Sequence, residues 1–411
     1  HKKMDKTIPE WINESFLKDI LQGMEDQGSN VSIIKFNVSP AVAPGNNYYS
    51  HIYRVQIEYK FTNSQSLQAL SLIVKSPIEG GYFASLSKEG HFFEKELKAY
   101  NVLLPRLYDK LKFEFAPKLF KGPKESDIIL KDLLQDGYKV SDKFKKLDFT
   151  YCKSVIVNLA KVHAASVSLH QEDPIFVEDI GKDFSVNERT MVLKKDRLEY
   201  CVKTVARIAR ETYGHEDLAE FLFKKVENLC AAIIEYITHK DEGLLVLNHG
   251  DLWINNILFK TSDLGEIIDV KFIDFQQLRY GPPVLDLMYF FWTSADEEVR
   301  ENKLQDLCTV YLETLNSTLK DLGCTERLTL EELNHGFKSA SKFFELILCL
   351  LMPGMFSNPE DVCGMAEVKS PSEDPSCQEF KDFFESMLKG KHFWTLFPII
   401  MRQFQTWVQN L

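Results

Sequence analysis

The stretch Leu247-Asn248-His249-Gly250-Asp251-Leu252-Trp253-Ile254-Asn255-Asn256-Ile257-Leu258-Phe259, answered downstream by Ile273-Asp274-Phe275-Gln276, decides how this chain is read. A short apolar run enters a turn at Gly250 and leaves it as a strand. Asp251 and Asn256 share that loop. From Asn256 the pattern is a hairpin: Ile257 to Lys260 runs outward, Thr261 to Gly265 turns, and Glu266 to Ile273 returns. The return brings Asp274 back beside Asn256. Phosphoryl transfer to a hydroxyl needs such a set: one carboxylate to orient and deprotonate the acceptor, and two oxygen ligands to hold Mg²⁺ against nucleotide phosphates. Asp251 takes the first role, Asn256 and Asp274 the second. A lone His-Gly-Asp is an ordinary turn, whereas five residue types fixed on one loop and hairpin are specific. His249 reads as an organiser of the loop, because Asp251 already fills the place of proton acceptor.

The segment resembles the catalytic and metal-binding loops of kinases that phosphorylate small molecules on a protein-kinase-like fold, the aminoglycoside phosphotransferases and choline kinases. Within that group it looks like the insect ecdysteroid-kinase-like, or CHK-kinase-like, family. Further matching patterns are Ile8-Pro9-Glu10-Trp11, Leu130-Lys131-Asp132-Leu133, His163-Ala164-Ala165-Ser166 and Pro283 to Asp286. The resemblance implies an α+β, bilobal protein-kinase-like fold. Residues 1–130 would form a small antiparallel-sheet lobe that binds nucleotide, and 131–411 a mainly helical lobe with catalytic loop, metal site and acceptor pocket.

Such a fold needs a strand lysine for the α- and β-phosphates and a helix carboxylate to hold it. Leu70 to Lys75 is strand-like and ends in the lysine. The next helix carries apolar Phe93, Leu97, Tyr100, Leu104, Leu107 and Leu111 at helical spacing, with Glu96 on the edge of that stripe and Glu94 well away from it. Lys75 and Glu96 are therefore the expected pair. The resemblance makes Gly45-Asn46-Asn47-Tyr48-Tyr49-Ser50 the phosphate-covering loop, with Ser50 and backbone N–H groups as its cradle, although it lacks repeated glycines. It makes Leu130 to Leu133 the lobe connection, where Leu130 and Asp132 flank adenine and backbone groups bind it. Lys131 stands where family members often carry an acid. Asp-Phe-Gln replaces the protein kinases' Asp-Phe-Gly, and Asp286 resembles a buried aspartate that bonds catalytic-loop backbone.

Asp274 and Asp286 stand only 12 residues apart, with no Ala-Pro-Glu and no long phosphorylatable loop, which disfavours a protein substrate. Apolar helical patterns follow, at Tyr289 to Trp292, Phe343 to Leu348 and Phe393 to Trp407. Their default is core packing, with the remainder available to an apolar acceptor pocket. A net charge of −11 argues against a nucleic-acid partner. The longest apolar stretch, near Leu346 to Phe356, is broken by Pro353 and Gly354 and reads as too short to span a bilayer. The cysteines at 152, 201, 230, 308, 324, 349, 363 and 377 form no Cys-x-x-Cys pair, and with no secretory signal they read as reduced thiols of a cytoplasmic protein, Met4 being a natural start. Asn13, Asn37 and Asn316 head sequons without meaning there. Glu367 to Asp374 reads as a loop.

The expected reaction is therefore ATP- and Mg²⁺-dependent phosphorylation of a small alcohol. The resemblance points to ecdysteroids, or to foreign alcohols and phenols detoxified this way. A polar amino alcohol or sugar, as in choline and aminoglycoside kinases, is the second reading, and a nucleotide- or ligand-binding protein without turnover the third.

Overall fold

A computed structural model describes residues 9–24, 30–42, 49–62, 66–124, 127–184, 187–238, 243–357 and 378–411. Gly45 to Tyr48, Ile8, Cys363, Cys377 and the stretch Glu367 to Asp374 lie outside them.

Five antiparallel strands build the amino-terminal sheet: β1 (Val31–Pro40), β2 (Ser50–Phe61), β3 (Gln68–Pro77), β4 (Leu119–Phe120) and β5 (Ile128–Lys131), in the order β1-β2-β3-β5-β4. Alternation of side chains across the sheet gives it two different faces. Tyr53, Val55, Ile57 and Tyr59 of β2 and Leu70, Leu72 and Val74 of β3 pack on the helix Glu14–Gln22. That helix buries Phe16, Leu17, Ile20 and Leu21, worth roughly 1.5–3 kcal/mol each relative to exposure. Asn13 caps it, its side chain accepting from Phe16 N–H at 3.1 Å. The residues between, Ile52, Arg54, Ile73 and Lys75, face a cleft.

The expected helix after β3 is a continuous helical run, Phe92–Lys98, Ala99–Leu103 and Leu104–Leu111, whose middle segment is a π turn. Pro105 explains it: with no N–H to give, it cannot extend the ordinary ladder, and Leu104 N–H bonds Ala99 O instead. The extra residue in that turn shifts the phase of the stripe. Leu104 and Leu107 are buried as expected, but ahead of the turn the buried face carries Phe92, Glu96 and Ala99 while Phe93 and Leu97 are half-buried. Glu96 thus lies inside the buried face rather than on its edge.

The carboxy-terminal part is helical, with two small antiparallel sheets inserted in it. β6 (Lys139–Val140), β8 (Ile257–Thr261) and β9 (Ile267–Phe272) form one, and β7 (Val246–Asn248) with β10 (Arg279–Gly281) the other. The hairpin expected after Asn256 is β8–β9, with Ile257 opposite Phe272. The aromatic runs are core: Phe290, Phe291, Trp292, Phe337, Phe393, Phe397 and Phe404 are essentially inaccessible. The helix Leu330–Phe356 continues through Pro353 instead of breaking there. Among the described residues it is the one helix long and apolar enough to cross a membrane by length and composition, and 67% of its apolar window is buried inside the protein. Cys152, Cys201, Cys308, Cys324 and Cys349 are free and buried.

Candidate active site

The loop that carries Asp251 is bent by Gly250, at φ +80°, where a Cβ would meet Gln277 O at 1.9 Å, so no other residue fits. What holds the bend is Asp286, fully buried at the start of the helix Val284–Ser294. Its carboxylate accepts from His249 N–H at 2.6 Å and Gly250 N–H at 2.9 Å. His163 lies 3.2 Å away on the same carboxylate and is itself 2.8 Å from the Tyr311 hydroxyl. Asp286 remains an anion in the core: burial raises its pKa, but hydrogen bonds and charge from His163 and the backbone donors outweigh this and lower it. Its resemblance-based role is thus matched by its contacts.

His249 is an organiser by geometry. Nδ1 lies 3.3 Å from Asp251 N–H and Nε2 lies 2.9 Å from Ile273 O, which assigns the proton to Nε2 and ties the loop to the strand before Asp274. Burial lowers its pKa, which keeps the ring neutral.

Asp251 has both carboxylate oxygens engaged. Tyr289 OH donates to Oδ1 at 2.6 Å, and Asn256 Nδ2 donates to Oδ2 at 3.0 Å and to the Asp251 carbonyl at 2.9 Å. Burial, and then the charge of Asp274, push the carboxyl up to about 8, against the pull of those hydrogen bonds. Ile273 N–H donates to Asn256 O at 3.0 Å, which keeps Asn256 and Asp274 side by side as the hairpin required.

Asp274 occupies left-handed backbone at φ +71°, a conformation aspartate tolerates better than most side chains. Its Oδ1 accepts from Lys75 Nζ at 2.8 Å and its Oδ2 from Gln276 Nε2 at 3.1 Å. Lys75 also donates to both oxygens of Glu96, at 2.8 and 2.6 Å, and the two are only 6% and 1% exposed. Burial would lower the pKa of the Lys75 ammonium, but the charges of Asp274 and Glu96 more than offset this and raise it. Burial pushes Glu96 up while Lys75 pulls it down.

Lys75, Glu96, Asn256 and Asp274 line a cleft of about 530 Å³ with the apolar Val42, Ile52, Ile73, Leu130, Leu133 and Leu258 and the charged Arg54, Lys131, Asp132 and Lys143, while Asp251 is not among the lining residues. Apolar surface and charged groups in one cleft suit a nucleotide, which brings both a base and phosphates. Among the described residues no three His, Cys, Asp or Glu side chains converge on a point. The donors here are one carboxylate and one amide, and with Asn256 Nδ2 committed to Asp251 its Oδ1 is the atom left for a cation. Lys75, Glu96 and Asp274 together carry one uncompensated negative charge. That sparse, anionic set fits Mg²⁺ shared with phosphates.

Asp132 lines the same cleft, with its polar groups already bonded. Asp132 is committed to the sheet: Oδ2 accepts from Arg54 Nε and Ser71 Oγ, both at 2.7 Å, and Oδ1 from Leu134 N–H at 3.2 Å. The N–H groups of Lys131 and Asp132 are likewise spent, on Lys118 O and Ser71 O. Leu130 lines the cleft with its side chain. Ser50, opposite Pro77 at the start of β2, is buried and is not among the residues that line the cleft. Two contributors were missed. Tyr289 sat inside an apolar run whose helical period marked it as core, and Gln276 was passed over because metal binding asks only for the aspartate before it.

Comparison with known proteins adds the following. Residues 44–324 match the ecdysteroid kinase-like family. No curated protein matches the chain. Among solved structures, a glucosamine kinase (crystal form B) is similar over 80% of this chain and 81% of its own, at 12% identity and a TM-score of 0.37.

Proposed function

The chain belongs to the ecdysteroid kinase-like family, and from that membership and the geometry of the cleft we propose that it transfers the γ-phosphoryl group of ATP to a hydroxyl of a small apolar molecule, an ecdysteroid or a foreign alcohol or phenol. One observation carries the reading: Lys75, brought from a strand 199 residues away, bonds Asp274 at 2.8 Å beside the loop that holds Asp251 and Asn256. No local turn or surface ion pair accounts for that convergence.

In this reading Asp251 orients the acceptor hydroxyl and takes its proton at a carboxylate oxygen. Tyr289 and Asn256 fix the direction of that carboxylate. Lys75, held by Glu96, meets the phosphates. Mg²⁺ held by Asn256 Oδ1 and Asp274 would neutralise charge that develops on the phosphoryl oxygens. The buried free thiols support a cytoplasmic setting.

The test is mass spectrometry of products after incubation with Mg·ATP and a panel of ecdysteroids, plant phenols and choline, with Asp251→Asn run in parallel. The expected result is a phosphate ester on an apolar alcohol, lost in the variant by a factor on the order of 10²–10⁴. An ester on choline alone would move the acceptor class, and nucleotide binding with no ester on any compound would sink the enzyme reading.

A further inference from the structure

Among the described residues four cations line the cleft: Arg54, Lys75, Lys131 and Lys143. Three are neutralised on the spot. Arg54 pairs with Asp132 at 2.7 Å, Lys75 with Glu96 and Asp274 at 2.6 and 2.8 Å, and Lys131 with Asp136 at 2.6 Å. Lys143 differs from all of them. Its ammonium makes one hydrogen bond, a long one of 3.4 Å to Ser357 O, and sits 5.2 Å from the centre of the Phe144 ring. No carboxylate within ion-pair distance of it exists among the described residues. Burial lowers its pKa, and the charge of Asp142 opposes this only in part.

An ammonium held partly out of water without a counter-charge is costly, and the cost is recovered when an anion arrives. Its position says which anion. Lys143 follows Val140, which pairs with Leu258 just past Asn256, so the segment enters the cleft along its floor and Lys143 shares the lining with Asn255 and Asn256. Lys75 enters from the opposite side, on β3. The catalytic loop supplies no positive charge of its own, since Leu252, Trp253, Ile254 and Asn255 fill the interval between Asp251 and Asn256. A phosphate chain lying over Asn256 and Asp274 therefore has Lys75 on one side and needs a cation on the other.

We propose that Lys143 is a second phosphate-binding cation of this cleft, meeting the nucleotide's phosphate chain from the floor as Lys75 meets it from the sheet. The inference rests on the reading of the cleft as a nucleotide site. Lysine suits the task as a mobile point charge.

The experiment is calorimetric titration of the full chain and of Lys143→Met with Mg·ATP and with adenosine, alongside thermal melting. The variant is expected to bind Mg·ATP on the order of tenfold or more weakly. Its affinity for adenosine and its melting temperature should hold or improve, and Lys143→Arg should recover part of the lost ATP affinity. An unchanged ATP affinity in Lys143→Met, or an equal loss for adenosine, overturns the proposal. A wild-type protein that binds neither ligand would instead remove the nucleotide reading of the cleft, a result distinct from a binding wild type with an indifferent variant.

Discussion

The two sides of the cleft are built by different means. On the floor, Asp251, Asn256 and Asp274 lie within one loop and hairpin, and backbone hydrogen bonds hold them: Asp286 takes two loop N–H groups, His249 ties the loop to Ile273, and Asn248 Nδ2 reaches Gly281 O at 3.1 Å to fasten β7 to β10. On the sheet side the chemistry rests on one ion pair, Lys75 with Glu96, and on the helix that carries Glu96. That helix is moored to the floor by Lys95, whose Nζ donates to Lys182 O at 2.8 Å and Leu278 O at 3.0 Å. A network of many short-range bonds holds Asp251 and Asp274 in place, whereas Lys75, the proposed phosphate-binding lysine, depends on contacts with residues distant in sequence. Floor substitutions should therefore act on turnover, and sheet-side substitutions on nucleotide use.

Asp274 belongs to both sides, so Asp274→Ala tests the comparison hardest. It removes the proposed metal ligand and one of the two partners of Lys75, and turnover should fall on the order of a thousandfold or more. Steady-state kinetics would show it, with the melting temperature as a control for folding. Turnover within a few-fold of the wild type would mean that the floor is not the metal site.

Glu96→Gln isolates the sheet side. Lys75 then has a single anionic partner, Asp274, and is drawn toward it and away from the phosphates. The kcat/KM for ATP should drop about 10- to 100-fold, the loss expected for a charge-assisted hydrogen bond of this kind. Acceptor KM should stay put. An equal rise in acceptor KM would show that the two sides are not separable.

Legibility in the sequence follows the same division. The floor could be read because its parts are close in sequence and each has a local reason: Gly250 for the bend, a two-strand return for Asp274, an aspartate at a helix start for the loop backbone. Lys75 was legible through strand alternation, which sends it to the cleft with Ile73. Glu96 was reached by a stripe that had drifted, because a π turn ahead of Pro105 changes the phase and no linear period records such a turn. Asp132 lines the cleft, as its place in the lobe connection suggested, but no local pattern told that Arg54 and Ser71, on two other strands, claim its carboxylate. The long helix passing through Pro353 shows that burial can sustain a helix across a residue that ends one in isolation.

Tyr289 offers the finest test of the floor, since it joins the apolar core to Asp251, the proposed base. Its ring lies in a helix whose neighbours Phe290, Phe291 and Trp292 are wholly buried, and its hydroxyl is 2.6 Å from Asp251 Oδ1. Burial, with the charge of Asp251, raises the phenol's pKa well above its ordinary value, so it stays a donor. A carboxylate oxygen has lone pairs for two donors, and the acceptor hydroxyl can share Oδ1 with the phenol. Tyr289→Phe leaves the ring and its packing and removes only the hydrogen bond. Asp251 then turns more freely about its Cα–Cβ and Cβ–Cγ bonds, and kcat should fall about tenfold, a net hydrogen-bond's worth, with ATP affinity unchanged. The sign of the accompanying pH effect is fixed as well. The Tyr289 hydrogen bond favours the charged carboxylate, so its loss raises the Asp251 pKa and moves the acidic limb of the kcat/KM profile to higher pH. A variant with the wild-type kcat and the same acidic limb would show that Asn256 and the loop backbone orient Asp251 unaided, and that the core tyrosine merely packs against it.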